Sequence, residues 1–550
     1  MPHLQFRYGQ TIPPYSDNLG KPYPGSLGSW GNPILGRDHV KHYFKTGNTS
    51  FNTISLNGGT PIAQTYFSYA NTNNSGILPT SRFNRHTVNI RQTLKLLNNK
   101  LQIDASISFL TQRSNNRFSS GLYYSPISGL YLFPRGQDFN DYKNNFEYFD
   151  PVRNLNMQRW WNIRNDKDWI GQDDQQNPEW ALRRNHRIDA RYRTMATLAL
   201  NWQPNSWLSL KNRSSFDQSL DQYELQAYAG TQIVVAGANG RYTLEKEYNT
   251  QFYSDIMANA NGKINHWLHL AGNLGASITH IKAHERTYNG TNPNAEPGLI
   301  APNKFSVSNI SPASRDAQYS LEQKQLQALF SNVQVGINNN IFLEVTIRND
   351  WSSTFAFTPT AGKGYLYYST GVSVIWSDLF KLPKPFNYLR SRISYARVGN
   401  DIASYSSKPS DFIRQQVAGV PRVVLNQRTP YPGIYLQPED NRSLETGIEM
   451  RWFNNRLNAD ITFYKNNNYN QYMEVPAPRG TGYNSYYLNL GNIQNQGWEI
   501  TIAAIPVRKN TFNWATTVNF ATNKNKIISL SNAAAADLTR TIYLCLLILG

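Results

Sequence analysis

A two-residue hydrophobic alternation, repeated in segments of roughly ten residues from about Phe51 onward, constrains this chain more than any other feature. Ile341, Leu343, Val345 and Ile347 alternate with Phe342, Glu344, Thr346 and Arg348. Leu101, Ile103, Ala105, Ile107 and Phe109 are set against Gln102, Asp104, Ser106 and Ser108, and Leu457, Ala459, Ile461 and Phe463 against Asn458, Asp460, Thr462 and Tyr464. Successive side chains of a strand point to opposite faces, so each segment offers one greasy face and one polar face. At 550 residues the chain exceeds what one ordinary globular core covers. The pattern therefore predicts one very large antiparallel β structure.

The connections sharpen this. LLNNK (Leu96 to Lys100), QPNSW (Gln203 to Trp207) and FNNRL (Phe453 to Leu457) read as tight polar turns, whereas Arg113 to Arg193, Ala283 to Glu322 and Asn400 to Asn441 read as long polar loops. Short turns at one end and long loops at the other are the asymmetry of outer-membrane barrels. Trp202, Trp207, Trp452 and Phe453 flank such turns, and Tyr464, Tyr469 and Tyr472 are expected just beyond a strand, where interfacial aromatic girdles would place them.

Composition agrees. Aromatics reach 13% while charged residues are only 16%; soluble domains run about 25% charged and disordered chains are poor in aromatics. A barrel with lipid on one face of each strand and water on the other gives this mixture. A soluble sandwich or propeller also alternates, but rarely in so many long strands, and the sequence has no repeat of fixed period. No run of about 18 apolar residues exists, which excludes an ordinary transmembrane helix and leaves barrels untouched. The single cysteine, Cys545, excludes an intramolecular disulfide.

Reactive constellations are scarce. His280 and His284 sit beside Glu285, without an HExxH pattern, and read as solvated residues. The acidic segment Asp138 to Asp150 lacks the spacing of a calcium loop. No hydrolase, P-loop or dinucleotide fingerprint occurs, so neither an enzymatic activity nor a cofactor is expected. A net charge of +18 admits nucleic acid, anionic lipid or acidic ligands. The basic run Arg183, Arg184, Arg187, Arg191 and Arg193 is expected at a rim facing anionic lipid rather than nucleic acid. Trp160, Trp161, Trp169 and Trp180, with Arg183 and Arg184, are the candidate ligand-binding residues, since flat aromatic faces beside planar polar groups suit sugar rings or peptide backbones. The same tryptophans also suit packed loop anchors.

Three stretches resemble the SusC/RagA family of TonB-linked outer-membrane transporters. Thr46 to Leu94 looks like its opening barrel hairpin, Asn177 to Arg193 like a loop signature ahead of a periplasmic turn, and Leu389 to Asp401 like a strand ending in Gly-Asn. Then Pro438-Glu439, Glu445-Thr446-Gly447, Asn455-Arg456-Leu457, Tyr464, Gly482-Tyr483, Asn489-Leu490-Gly491 and Gly497-Trp498-Glu499 follow in family order. In the Leu444 to Trp452 strand, Glu445, Glu449 and Arg451 fall on the polar side and are expected to face a lumen.

The resemblance implies an importer of oligosaccharides or peptides in the outer membrane. It would contact outer-membrane lipids, a plug, a SusD/RagB-like surface lipoprotein and the TonB complex. The expected division is a polar N-terminal segment at 1–45, a barrel at 46–531 and an atypical tail at 532–550. That barrel is expected to be incomplete, with roughly 16 to 18 of 22 strands at about 30 residues per strand and loop, no plug, and two open edges. The tail NAAAADLTRTIYLCLLILG reads as a scar or as one further apolar strand. The alternative function is a surface glycan-binding, adhesin-like β-barrel without active transport.

Overall fold

The computed structural model describes residues 37–530, apart from 118–120, 122, 162, 164–174, 291–297, 409–411, 418–419, 426–427, 432–434 and 479–482. Trp169, most of the N-terminal segment and the tail from Ser531 lie outside the described residues.

One continuous sheet of 18 strands dominates. It is a wall of sixteen antiparallel staves, each bonded to the next in sequence. They are β1 (Asn48–Gly59), β2 (Ala63–Ser75), β3 (Arg82–Leu96), β4 (Leu101–Asn115), β5 (Asn185–Trp202), β6 (Leu208–Ala227), β7 (Arg241–Lys263) and β8 (Leu268–Asn289). The wall continues through β9 (Asp316–Ile337), β10 (Ile341–Ser352), β11 (Tyr365–Ile375), β12 (Phe386–Asn400), β13 (Glu439–Trp452), β14 (Leu457–Pro476) and β15 (Ser485–Arg508). The last stave, β16, is formed by Asn513–Ala521 and Lys524–Ser529, both paired with β15 and interrupted at Thr522 and Asn523. The remaining strand, Arg428–Pro430, lies parallel to the start of β15. Among the described residues, β1 pairs only with β2 and β16 only with β15, and both are exposed along their whole length.

The tight turns owe their shape to asparagine. Leu97-Asn98-Asn99, Asn338-Asn339 and Phe453-Asn454-Asn455 all have positive φ, between 49° and 66°. Asparagine enters the left-handed region at lower cost than other side-chain-bearing residues. These turns share one end of the wall with 60–62, 203–207, 264–267 and 509–512, while 116–184, 290–315 and 401–438 extend from the other.

Alternation holds in three dimensions. On β8, Leu268, Leu270, Leu274 and Ile278 share the outward face, in register with Ile337, Val335, Ser331 and Gln327 of β9. Leu274 is 65% exposed and Ile256, one stave away, 63%. Eleven residues of tilted strand, Leu268 to Ile278, span about 25 Å, the height of an outer-membrane apolar band. Glu445, Glu449 and Arg451 fall on the opposite, inward face of β13, where Arg451 Nη2 donates to Glu449 at 2.7 Å.

Two sequence expectations change. The longest staves run 20 to 24 residues rather than about ten, because they continue past the apolar band. Tyr464, Tyr469 and Tyr472, expected beyond a strand, all lie within β14. Above the membrane both faces of a strand meet water, and alternation no longer marks its end.

Candidate functional site

The segment 116–184 folds into a cored body at the loop end of the wall. Its helices begin where the local chemistry dictates. Ser125 caps Pro126–Leu132 by accepting from the Ile127 amide, and Asp138 caps Phe139–Asn144 by accepting from Asn140. Asn177 caps Pro178–Arg183 by accepting from Glu179 at 2.9 Å. Proline at the first helical position loses no intrahelical bond. Asn177 is fully buried and works as a hub: its amide also donates to the carbonyls of Tyr142 (2.9 Å) and Arg159 (2.8 Å).

This body encloses an aromatic core. Trp160 has no exposed surface and meets Phe133 at 5.1 Å between ring centroids and Tyr142 edge-on at 5.6 Å. Trp161 is 9% exposed in the same cluster. Trp180 is also fully buried; its Nε1 donates to Thr231 Oγ1 at 2.9 Å, and that hydroxyl donates to Asn185 Oδ1 at 2.9 Å, tying the body to β5. Arg184 donates twice to Glu147, at 2.8 and 2.7 Å, which holds its guanidinium above the usual arginine range. Arg183 pairs with the buried Glu179 at 2.7 Å. The structure thus gathers Trp160, Trp161, Trp180, Arg183 and Arg184 into one body, with the three indoles turned into its interior.

The other sequence candidates separate. Arg187, Arg191 and Arg193 alternate on the inward face of β5, so they do not face surrounding lipid; Arg191 pairs with Asp221 at 2.9 Å and Arg193 with Asp217 at 2.8 Å. Alternate residues of one strand share a face. His280 and His284 point outward and Glu285 inward, and no group of three metal-ligating side chains occurs among the described residues. The acidic segment is committed within the protein: Asp138 to Arg37, Asp141 to Arg159, Glu147 to Arg184.

What the sequence does not reveal is how the charges of the lumen face pair with one another. Arg213 pairs with Asp255 at 2.7 Å, and Tyr253 donates to the same carboxylate at 2.6 Å. Arg392 bridges to Asp460 at 2.7 and 3.0 Å, and Arg348 reaches Asp350 at 2.7 Å. Partners such as Arg213 and Asp255 lie 42 residues apart. Only the strand register brings them together. The result is an inner face rich in polar groups, in which several arginines are neutralised by carboxylates on the same or a nearby strand.

A closed-ended set of tight turns, long loops, an outward apolar band and a polar inner face define an outer-membrane-type transmembrane β-barrel. Residues 128–539 match the TonB dependent receptor-like β-barrel family, and the chain belongs to it. TonB-dependent receptor P39 of Formosa agariphila is 28% identical over 211 residues, 38% of this chain and 20% of that protein. TonB-dependent receptor SusC of Bacteroides thetaiotaomicron is 23% identical over 221 residues, 38% of this chain and 22% of that protein. The solved RagAB peptide transporter superposes with a TM-score of 0.69 at 17% identity, covering 90% of this chain and 53% of the matched chain. The chain thus spans about half of that solved chain, and its aligned regions cover about a fifth of these two curated relatives.

Proposed function

We propose that this chain forms the wall and extracellular mouth of an outer-membrane importer of oligosaccharides or peptides, with residues 46–531 as the barrel unit. The observation that carries the reading is the inner face of paired arginines and carboxylates, from Arg191–Asp221 round to Arg392–Asp460, in a chain of the TonB-dependent receptor family. Such a surface exchanges hydrogen bonds with hydroxyls or amides and offers no reactive group, so the protein binds and passes its cargo without chemistry. In this reading a SusD/RagB-like lipoprotein covers the mouth and the TonB complex supplies the energy. The body built on Trp160, Trp161 and Trp180 shapes the mouth, and Arg183 and Arg184, the polar members at its edge, are its nearest groups to cargo.

Uptake of labelled oligosaccharides and oligopeptides by cells with and without the gene tests this. Loss of one class of cargo to the background level, abolished equally by a protonophore, is expected. Unchanged uptake of both classes overturns the reading.

A further inference from the structure

The outward face of the wall is not uniform. A cavity of about 740 Å³ opens between β7, β8, β9 and β10, lined by Ile256, Ala276, Ile278, Leu329 and Trp351, with Gly362 of the 353–364 loop above it. Register places these side chains on one face: Ile256, Ala276 and Leu329 lie side by side, as do Ser254, Ile278, Gln327 and Trp351 in the next outward row. The small side chains Ser254 and Ala276 create the groove by leaving room between larger neighbours.

Directly above, the character changes. The next outward positions of the same staves are His280 and Gln325, and these line a second recess of about 280 Å³ with Gln323, Thr354, Ser404 and Tyr405. The Ser404 hydroxyl oxygen is buried and has no hydrogen-bond partner. Higher still on the same face stand Lys282, then Lys246 and Arg286 side by side. None of the three cations pairs with a carboxylate among the described residues, and Arg286 rests over the Tyr319 ring at 5.7 Å. Glu247 and Glu285, between the rows of Lys282 and Arg286, point to the lumen, while Glu224 of β6 shares the outward face one row above Lys246 and accepts from Gln226 at 2.6 Å.

An apolar groove within the membrane band, a polar recess at its upper edge and unneutralised cations above form a graded surface. The gradient matches one class of molecule. We propose that the groove holds acyl chains of an anionic, phosphate-bearing lipid of the surrounding leaflet, with its head group in the recess below Lys282 and Arg286. Charge complementarity selects the anionic head, and the depth of the groove selects a lipid over a free phosphate. The inference rests on the barrel standing in a membrane and is independent of what passes through it.

Trp351 supplies the probe. The full chain, folded in detergent micelles, is titrated with phosphatidylglycerol carrying brominated acyl chains, and with phosphatidylcholine brominated in the same way. The Trp351 signal is taken as the difference between the native chain, with its 13 tryptophans, and Trp351→Phe. Saturable quenching by the anionic lipid is expected. Lys282→Gln with Arg286→Gln should raise its half-saturation about thirtyfold, since two cations near an anionic head group each contribute about 1 kcal/mol. Ala276→Leu, which fills the groove and leaves the cations in place, should remove the Trp351 signal, and it decides the matter if the double variant fails to fold. Equal, non-saturating quenching by both lipids would mean general lipid contact only and overturns the proposal. Displacement by millimolar inorganic phosphate would show that the head group binds alone, and overturns it too.

Discussion

The wall and the body at its mouth bury their apolar side chains in opposite senses. In the wall, the large hydrophobics of the outward face are the exposed ones, Leu274 at 65% and Ile256 at 63%. In the body formed by 116–184, Trp160, Trp180, Leu130 and Phe133 have no exposed surface at all. The first arrangement needs a lipid solvent to be stable; the second is an ordinary packed core standing in water. One chain therefore carries two hydrophobic codes, and substitutions of the same kind should have different consequences in each.

The largest effect is expected in the core. Trp180→Ala removes a fully buried indole and leaves Thr231 without its donor, a loss of about 3 to 5 kcal/mol. Because Trp180 ties the body to β5 through Thr231 and Asn185, the damage should stay at the mouth. Limited proteolysis should cut within 116–184 in the variant and not in the native protein, while the barrel keeps its heat-modifiable mobility on gels. Loss of that mobility as well would show that the two regions fold as one unit.

The wall obeys the reverse rule. Leu274→Arg places a cation near the middle of the apolar band and should cost about 2 to 4 kcal/mol in lipid. Asn273→Arg, one residue earlier, faces the lumen and should cost close to nothing. Unfolding in urea from a lipid bilayer measures both, and equal destabilisation would contradict the outward and inward assignment.

The same contrast explains what was legible in the sequence. Wherever a strand crosses the band, alternation reports it: Ile341 to Ile347 falls within β10 and Leu101 to Phe109 within β4. Asparagine pairs such as Asn98-Asn99 and Asn454-Asn455 announce the turns. The extensions above the membrane are silent because water on both faces removes the pattern, as in Asp316 to Gln325 of β9. The tryptophans illustrate a different limit. Trp160 and Trp161 sit among polar residues, which reads as a ligand platform or as loop anchors, and only the return of Phe133, Tyr142 and Leu182 onto them shows which way the rings turn. The lumen pairs were hidden because a cross-strand partner is fixed by register, which single strands do not reveal.

The smallest expected effect concerns protons at the junction of the two regions. His39, on the short helix His39–Tyr43, lies against Phe139 at 5.2 Å and Phe133 at 5.2 Å, and its Nε2 donates to the Leu130 carbonyl at 2.7 Å. Its Nδ1 is buried without a partner, so the ring is accommodated in the neutral form, and burial holds it below the ordinary histidine value. The unfolded segment then binds the proton more readily than the folded one. Docking of the helix is fully stable above the unfolded value near 6.5 and weakens as pH falls below it. Protease cleavage around residues 37–45 should accordingly rise as the pH falls from about 7.5 to about 5, across the unfolded histidine value. His39→Gln keeps a donor for the Leu130 carbonyl and cannot titrate, so its cleavage should be independent of pH over that range. A pH dependence that survives in His39→Gln would move the proton-sensitive group elsewhere, and a wall whose own protease resistance changed in parallel would join the regions that Trp180→Ala is expected to separate.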